Sequence, residues 1–380
     1  MGLSKTIWAN PSEFLRIQQP VDPVMFFAPS VLQATARRFL DGFPGLVTYA
    51  VKSNPDEMVI QNLVAAGISG FDVASPAEIE LIARLAPSAA MHYNNPVRAR
   101  HEIGYAVSMG VRSYSVDSHS ELAKLIEMVP AAGREISVRF KLPVNGAAYN
   151  FGAKFGATEE VAAALLARVA EAGFIPSLTF HPGTQCTDPM AWDAYLRAAG
   201  RICARAGVKA ARLNTGGGFP SHRLWGEVPE LDAIFALIGR VADEVFEGAP
   251  PALVCEPGRA LVAESFTLAA RVKALRDDTH VFLNDGTYGS LDELPITGII
   301  DRIAVVAPDG NRRRAAPRPR VIFGPTCDSV DRLPGEVALP GDLAEGDYVV
   351  VSGMGAYSTA TNTRFNGFGA LAIATVMSLG

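Results

Sequence analysis

"LVTYAVKSNP", residues 46–55, decides the fold. Leu46, Val47, Tyr49, Ala50 and Val51 make an apolar run of strand length, Lys52 follows at once, and Ser53, Asn54 and Pro55 end the pattern. A short apolar run closed by turn residues fits a strand covered on both faces, as in a parallel sheet. Seven further runs follow: "GFDVAS" (70–75), "AMHYNN" (90–95), "SYSVDS" (113–118), "ISVRFK" (136–141), "SLTFHPG" (177–183), "ARLNTGGG" (211–218) and "ALVCEPGR" (252–259). Helical periodicity fills the gaps. "EMVIQNLVAAG" (57–67) brings Met58, Ile60, Leu63 and Val64 near one face. "SPAEIELIARLA" (75–86) opens with a serine cap and a proline at the first helical position, and "ATEEVAAALLARVAEAG" (157–173) has early acids and a closing glycine. Eight βα units in series predict an α/β fold, a (β/α)8 TIM-like barrel over 25–262, where an open doubly wound sheet would ordinarily need fewer strands.

Beyond Ala263 the rhythm changes. "FTLAARVKAL" (266–275), "HVFLND" (280–285), "RVIFGPT" (320–326) and "DYVVVSG" (347–353) are strand-like runs without long helices between them. They predict a mostly antiparallel β domain, a sandwich or small barrel, built from 1–24 plus 263–380.

Composition excludes several classes. The chain has 380 residues, 49% of them hydrophobic, and a net charge of −5, which argues against a nucleic-acid partner. The one basic run, "NRRRAAPRPR" (311–320), contains two prolines and is expected to be a solvated loop. No apolar run reaches the ~18 residues a membrane span needs, and "MGLSKTIWANPSEF" lacks the apolar centre of a signal peptide, so a cytoplasmic protein with no membrane partner is expected. Cys186, Cys203, Cys255 and Cys327 lie far apart with no CxxC pair, which points away from a zinc site or any other metal centre.

In such a barrel the chemistry lies at the C-terminal ends of the strands. Those ends here carry Lys52, Asp72, Asn94, Asp117, Lys141, His181, Gly216, Gly217, Gly218, Glu256 and Arg259. The glycine run of "NTGGGFP" (214–220) lets backbone N–H groups approach a phosphate, or makes a tight turn. In "EPGR" (256–259), Glu256 can hold a heteroaromatic nitrogen protonated while Arg259 clamps a phosphate, or the two make a structural ion pair. A lysine at a strand tip, in a pocket water scarcely reaches, becomes a nucleophile toward a carbonyl. An amine, a phosphate cradle, a pyridine-nitrogen partner and a flat histidine jointly describe pyridoxal 5'-phosphate.

The chain resembles the fold type III PLP-dependent decarboxylases of basic amino acids, nearest in pattern to the ornithine decarboxylase branch. The resemblance rests on "YAVKSNP" (49–55), "GFDVASPAEI" (70–79), "KFG" (154–156), "HPGT" (181–184), "GGGFP" (216–220), "EPGR", "NDGTYGS" (284–290), "FGPTCDSVD" (323–331), "MGAYS" (354–358) and "FNGF" (365–368), in that order over roughly 25–370. It implies that Lys52 binds the cofactor as a Schiff base above Asp72 and Glu78, that His181 stacks on the ring, and that Glu256 pairs with the ring nitrogen. Thr184, Gly216 to Gly218, Gly258, Arg259 and Tyr357 would hold the phosphate end.

It further implies a homodimer with shared active sites. Cys327 would protonate the substrate carbon and Asp328 would bind the distal ammonium, both across the interface. Phe365 and Tyr288 would line the substrate, and Lys154 would pair with Asp331 of the other copy. The substrate implied is a small basic amino acid, L-ornithine giving putrescine and carbon dioxide in polyamine biosynthesis. L-lysine, carboxynorspermidine, diaminopimelate and a dedicated biosynthetic amino acid are the alternatives. The family's second substrate-binding acid falls on Thr297. A non-catalytic polyamine-regulatory homologue would lack Lys52 or Cys327, and a barrel racemase leaves "GPTCDS" and "FNGF" unexplained.

Overall fold

The computed structural model describes residues 6–143, 154–298 and 301–380. In chain order the first strands are β1 (Val24–Phe27), β2 (Leu46–Ala50), β3 (Gly70–Val73), β4 (Ala90–Tyr93), β5 (Ser113–Val116), β6 (Glu135–Arg139), β7 (Ile175–Thr179), β8 (Arg212–Asn214) and β9 (Ala252–Cys255). β2 to β9 pair one after the next, and β9 returns to β2 to close a barrel. All eight pairings are parallel. These are the eight strands expected from the sequence. Lys52, Asn94, Asp117, Lys141, His181 and Glu256 follow the ends of their strands, whereas Asp72 lies within β3.

Register decides which side chains meet. Ala50 pairs with Asp72 and Asp72 with His92, so Asp72 and His92 project from the same face of the sheet. The helices follow local signals. Ser75 caps Pro76–Leu85, its hydroxyl accepting from the Glu78 N–H at 3.3 Å, with proline at the first position as expected. In the helix Glu57–Ala66 the buried face is Val59, Ile60 and Leu63, while Val64 is exposed, so the expected face is rotated by about one residue.

The chain divides into two compact units, one of Thr35–Pro220 and Pro229–Ala260, the other of Met1–Ala34, Ser221–Val228 and Leu261–Gly380. The second contains β10 (Phe266–Arg276), β11 (His280–Leu283), β12 (Ile303–Val306), β13 (Pro317–Phe323), β14 (Val337–Pro340), β15 (Tyr348–Ser352) and β16 (Ala372–Thr375). They run in the order β12-β15-β10-β11-β13-β14, with β1 on β10 and β16 on β1. The pairings are antiparallel except β1 with β16 and β11 with β13. β1, expected at the start of the barrel segment, thus pairs within this sheet. The unit's core contains Leu15, Phe26, Ala269, Tyr348 and Val350, with Trp8 and Phe14 packed against it. Phe14 meets Phe26 edge-on, ring centres 5.3 Å apart.

The basic run 311–320 is not a free loop. Its last four residues are strand: Pro317 to Arg320 pair with β14 only, and β11 takes up the pairing from Val321. Pro317 and Pro319, lacking N–H groups, fit this half-free edge. Arg313 makes two 2.9 Å bonds to the fully buried Asp347, and Arg320 is buried. Alternation of arginine with proline has the strand period, which a count of charges conceals.

Candidate active site

The barrel mouth brings the expected residues together on one rim. Lys52 sits on the short 3₁₀ turn Val51–Ser53 just beyond β2. That turn is held down by the "EPGR" loop: the Ala50 N–H donates to the Pro257 carbonyl at 3.4 Å, and Ser53 Oγ donates to the Ala50 carbonyl at 2.6 Å. Gly258 permits the approach, since a Cβ there would lie 2.7 Å from Ser53 Oγ. The Lys52 side chain is exposed, which corrects the expectation of a pocket closed to water.

Asp72 and Glu256 are buried beside it, 6% and 4% exposed. Asn94 links them: its Nδ2 donates to Asp72 Oδ2 at 3.1 Å and to Glu256 Oε2 at 2.8 Å. Burial, and then the negative charge of Glu256, push Asp72 well above the usual carboxylate range, against the pull of the Lys52 ammonium. Glu78 accepts from the Ala74 N–H at 2.7 Å. Burial raises its pKa, and the Ala74 bond and the Lys52 charge oppose the rise.

The loops after β7 and β8 interlock. A Cβ on Gly216 would lie 2.1 Å from the Phe180 carbonyl and one on Gly218 2.2 Å from the Gly183 carbonyl, and both residues have left-handed φ of 73° and 81°. This fit sets His181 beside Gly217, where a Cβ would stand 3.2 Å from Nε2. The Gly183 N–H donates to His181 Nδ1 at 3.1 Å, and burial together with the positive charges of Lys52 and Arg139 holds the imidazole neutral, its pKa well below the ordinary value. Thr184 follows on the same loop, and Arg259 is buried at the start of the turn Arg259–Val262.

Two rim residues hold the loops: Asn214 in the loop support expected where the family commonly has an acid, and Asp117 in a role the sequence did not disclose. Asn214 accepts from the Gly216 N–H at 2.9 Å and donates to Glu256 Oε2 at 3.3 Å, tying the glycine run to the acid. Asp117 accepts from the Gly156 N–H at 3.0 Å, anchoring the "KFG" loop.

This mouth fits pyridoxal phosphate. Asp72 Oδ1 is buried without a hydrogen-bond partner among the described residues, an oxygen that calls for a cationic neighbour. An exposed amine, a paired acid and a glycine run stand around it.

A second constellation lies within the sheet unit. Asp331, 1% exposed, accepts four hydrogen bonds, from the N–H and hydroxyl of Thr287 (2.8 and 3.1 Å) and of Thr326 (3.0 and 2.7 Å). It thereby clips "NDGTYGS" to "FGPTCDSVD". Tyr288 donates to Asp328 Oδ2 at 2.6 Å, a bond that lowers the pKa of Asp328 and raises that of Tyr288. The Tyr288 and Phe365 rings lie 4.7 Å apart. Cys327 is exposed, with both its N–H and its Sγ on Asn366 Oδ1, at 3.1 and 3.2 Å. Asn366 is in the left-handed region (φ 52°), which asparagine tolerates. Tyr357 holds φ 65°, a costly conformation for a bulky side chain and one that concentrates at functional positions. Thr297 does not supply a free polar group, since its hydroxyl donates to the Glu293 carbonyl at 2.8 Å.

Comparison with known proteins agrees with this geometry. The family profile of the pyridoxal-dependent decarboxylase, pyridoxal binding domain, matches residues 30–263. The ornithine decarboxylase of Mus musculus is 32% identical over 362 residues, 87% of this chain and 75% of that protein. The lysine/ornithine decarboxylase of Selenomonas ruminantium is 32% identical over 330 residues, 85% of this chain and 81% of that protein. The crystal structure of the Paramecium bursaria Chlorella virus arginine decarboxylase superposes with a TM-score of 0.85 at 26% identity, over 95% of this chain and 98% of that one. With its closed parallel barrel, its strand-end lysine and its paired acids, the chain belongs to the pyridoxal phosphate-dependent decarboxylases of basic amino acids.

Proposed function

We propose that the chain is a cytoplasmic homodimeric carboxy-lyase that converts L-ornithine to putrescine and carbon dioxide. The observation that carries the reading is the coexistence of two constellations: Lys52 above the bridged acids Asp72 and Glu256 on the barrel, and Cys327 beside the Tyr288–Asp328 pair on the sheet unit. Bound pyridoxal phosphate supplies an electron sink for the pair left when carbon dioxide departs. Lys52 holds the cofactor's aldehyde. Glu256 would pair with the ring nitrogen and hold its proton. The neutral His181 would cover the ring. The N–H groups of Gly217 and Gly218, with Thr184, Arg259 and Tyr357, would take the phosphate, while the Gly216 N–H, given to Asn214, holds the glycine turn in place.

Asp328 carries the recognition of the distal ammonium. Tyr288 holds it ionised and fixes one oxygen, and Phe365 gives the aliphatic stem an apolar neighbour. Cys327 delivers the proton to the substrate carbon, its Sγ aimed by Asn366. Cys327, Val330 and Phe365 expose an apolar patch around Asp328, which suits coverage by a second copy whose barrel the loop completes.

L-lysine is the second reading. With Thr297 turned to its own helix, a single acid meters chain length, and one methylene is worth only ~1–3 kcal/mol. Release of carbon dioxide from L-ornithine and L-lysine, assayed side by side on the cofactor-loaded protein, tests both. Higher kcat/KM on ornithine is expected. Turnover of neither, with the cofactor bound, would overturn the substrate assignment.

A further inference from the structure

Beneath the acid pair the barrel interior carries a chain of polar side chains across three strands. His92 on β4 lies with Nδ1 2.6 Å from Ser113 Oγ and Nε2 2.8 Å from Ser115 Oγ, both on β5. Ser115 Oγ donates to Asn94 Oδ1 at 3.0 Å, and Asn94 Nδ2 reaches Asp72 and Glu256. Ser115, Asn94 and the two acids are all at least nine-tenths buried.

The direction of every hydrogen bond follows from the carboxylates. Asn94 gives its NH2 to both acids, so Oδ1 faces Ser115. The one Ser115 hydrogen is then committed to Asn94, so Ser115 Oγ accepts from His92 Nε2–H. The ring is neutral, in line with burial lowering its pKa to about 3, so Nδ1 accepts from the Ser113 hydroxyl. The chain therefore runs one way, from Ser113 to the acids, and ends in two N–H donors aimed at two carboxylates. It cannot pass a proton along, because the amide at its end has none to release.

We propose that Asn94, fixed by Ser115 and His92, is a positioning residue that lets the buried Asp72–Glu256 pair stay ionised enough to hold the cofactor's ring nitrogen as a cation. This rests on the reading that Glu256 faces that nitrogen. Two carboxylates sharing one buried site compete for a proton. Around them stand Lys52 beyond β2, Glu78 on the helix after β3, His181 and Arg139 beyond and on β7 and β6, and Asn214 at the end of β8. Asn94 donates to both acids. Without it the pair would take the proton that the ring nitrogen should keep.

The test uses dimeric protein loaded with pyridoxal phosphate carrying ¹⁵N in the ring, reading the nitrogen's chemical shift and the dissociation constant of the cofactor. Wild type is expected at the protonated pyridine position. Asn94→Leu is expected to move toward the neutral position and to hold the cofactor ~10-fold or more weakly. Ser115→Ala should move the same way by less, and Ser115→Thr, which keeps the hydroxyl, should return to wild type, as mere disturbance of the fold would not. A protonated ring in wild type that is unchanged in Asn94→Leu and Ser115→Ala overturns the inference alone. A neutral ring in wild type overturns it together with the assignment of Glu256.

Discussion

Asp285 shows how far one side chain's surroundings decide its chemistry. Its Oδ1 accepts from the Gly286 and Ser290 N–H groups, while Oδ2 is buried without a partner, and burial raises the carboxyl from 3.8 to about 6. A raised carboxyl favours the folded state below its unfolded value, and that contribution is lost as pH climbs through the folded value. Wild type should thus lose about 2 kcal/mol between pH 4 and pH 6.5 from this group, and Asp285→Asn should flatten that part of the profile, as read by urea unfolding across the range. At the barrel mouth, Lys52→Ala should abolish the bound cofactor's visible absorbance and lower turnover by ~10³-fold or more, whereas Cys327→Ala should keep the absorbance and lose roughly 10²–10⁴-fold in kcat. The sequence names Lys52, Glu256 and Cys327 because each proposed chemistry needs one residue type beside a recognisable turn. It names Asn94 only as a rim residue and Asn366 only within "FNGF", because an amide's role depends on which strands lie next to it. The exposure of Lys52 was misjudged because a strand's burial does not extend to the turn beyond it.

At the scale of elements, the eight barrel strands were readable from alternation of apolar runs with helical periods, and their rim residues followed from strand direction alone. The sheet unit was read less fully. β1, β12, β14 and β16 are four residues each and lack the regular alternation with helices that marks the equally short barrel strands. The loops between them depend on Asp331. Replacing it with alanine orphans two N–H and two hydroxyl donors and should cost ~3 kcal/mol in unfolding experiments. Because the clip lies wholly in the sheet unit, Asp331→Ala should depress kcat while leaving cofactor affinity near wild type. Gly216→Ala should do the reverse, since its Cβ would strike the Phe180 carbonyl beside His181: cofactor retention should fall first, measured by dialysis against cofactor-free buffer.

At the scale of the whole molecule, the central claim is that a working site joins the barrel of one copy to the Cys327–Asp328 loop of another. Among the described residues no helix is long and apolar enough to cross a membrane, and the four cysteines are free. The relatives are ornithine, lysine/ornithine and arginine decarboxylases by name, so the family's shared chemistry is decarboxylation of a basic amino acid. The most direct measurement mixes Lys52→Ala with Cys327→Ala, each inactive alone, and assays carbon dioxide release after the copies exchange. If sites are shared, mixed dimers contain one site with neither substitution, and activity should recover to about a quarter of wild type. Mixtures that stay inactive, with both variants dimeric and exchanging, would contradict the account.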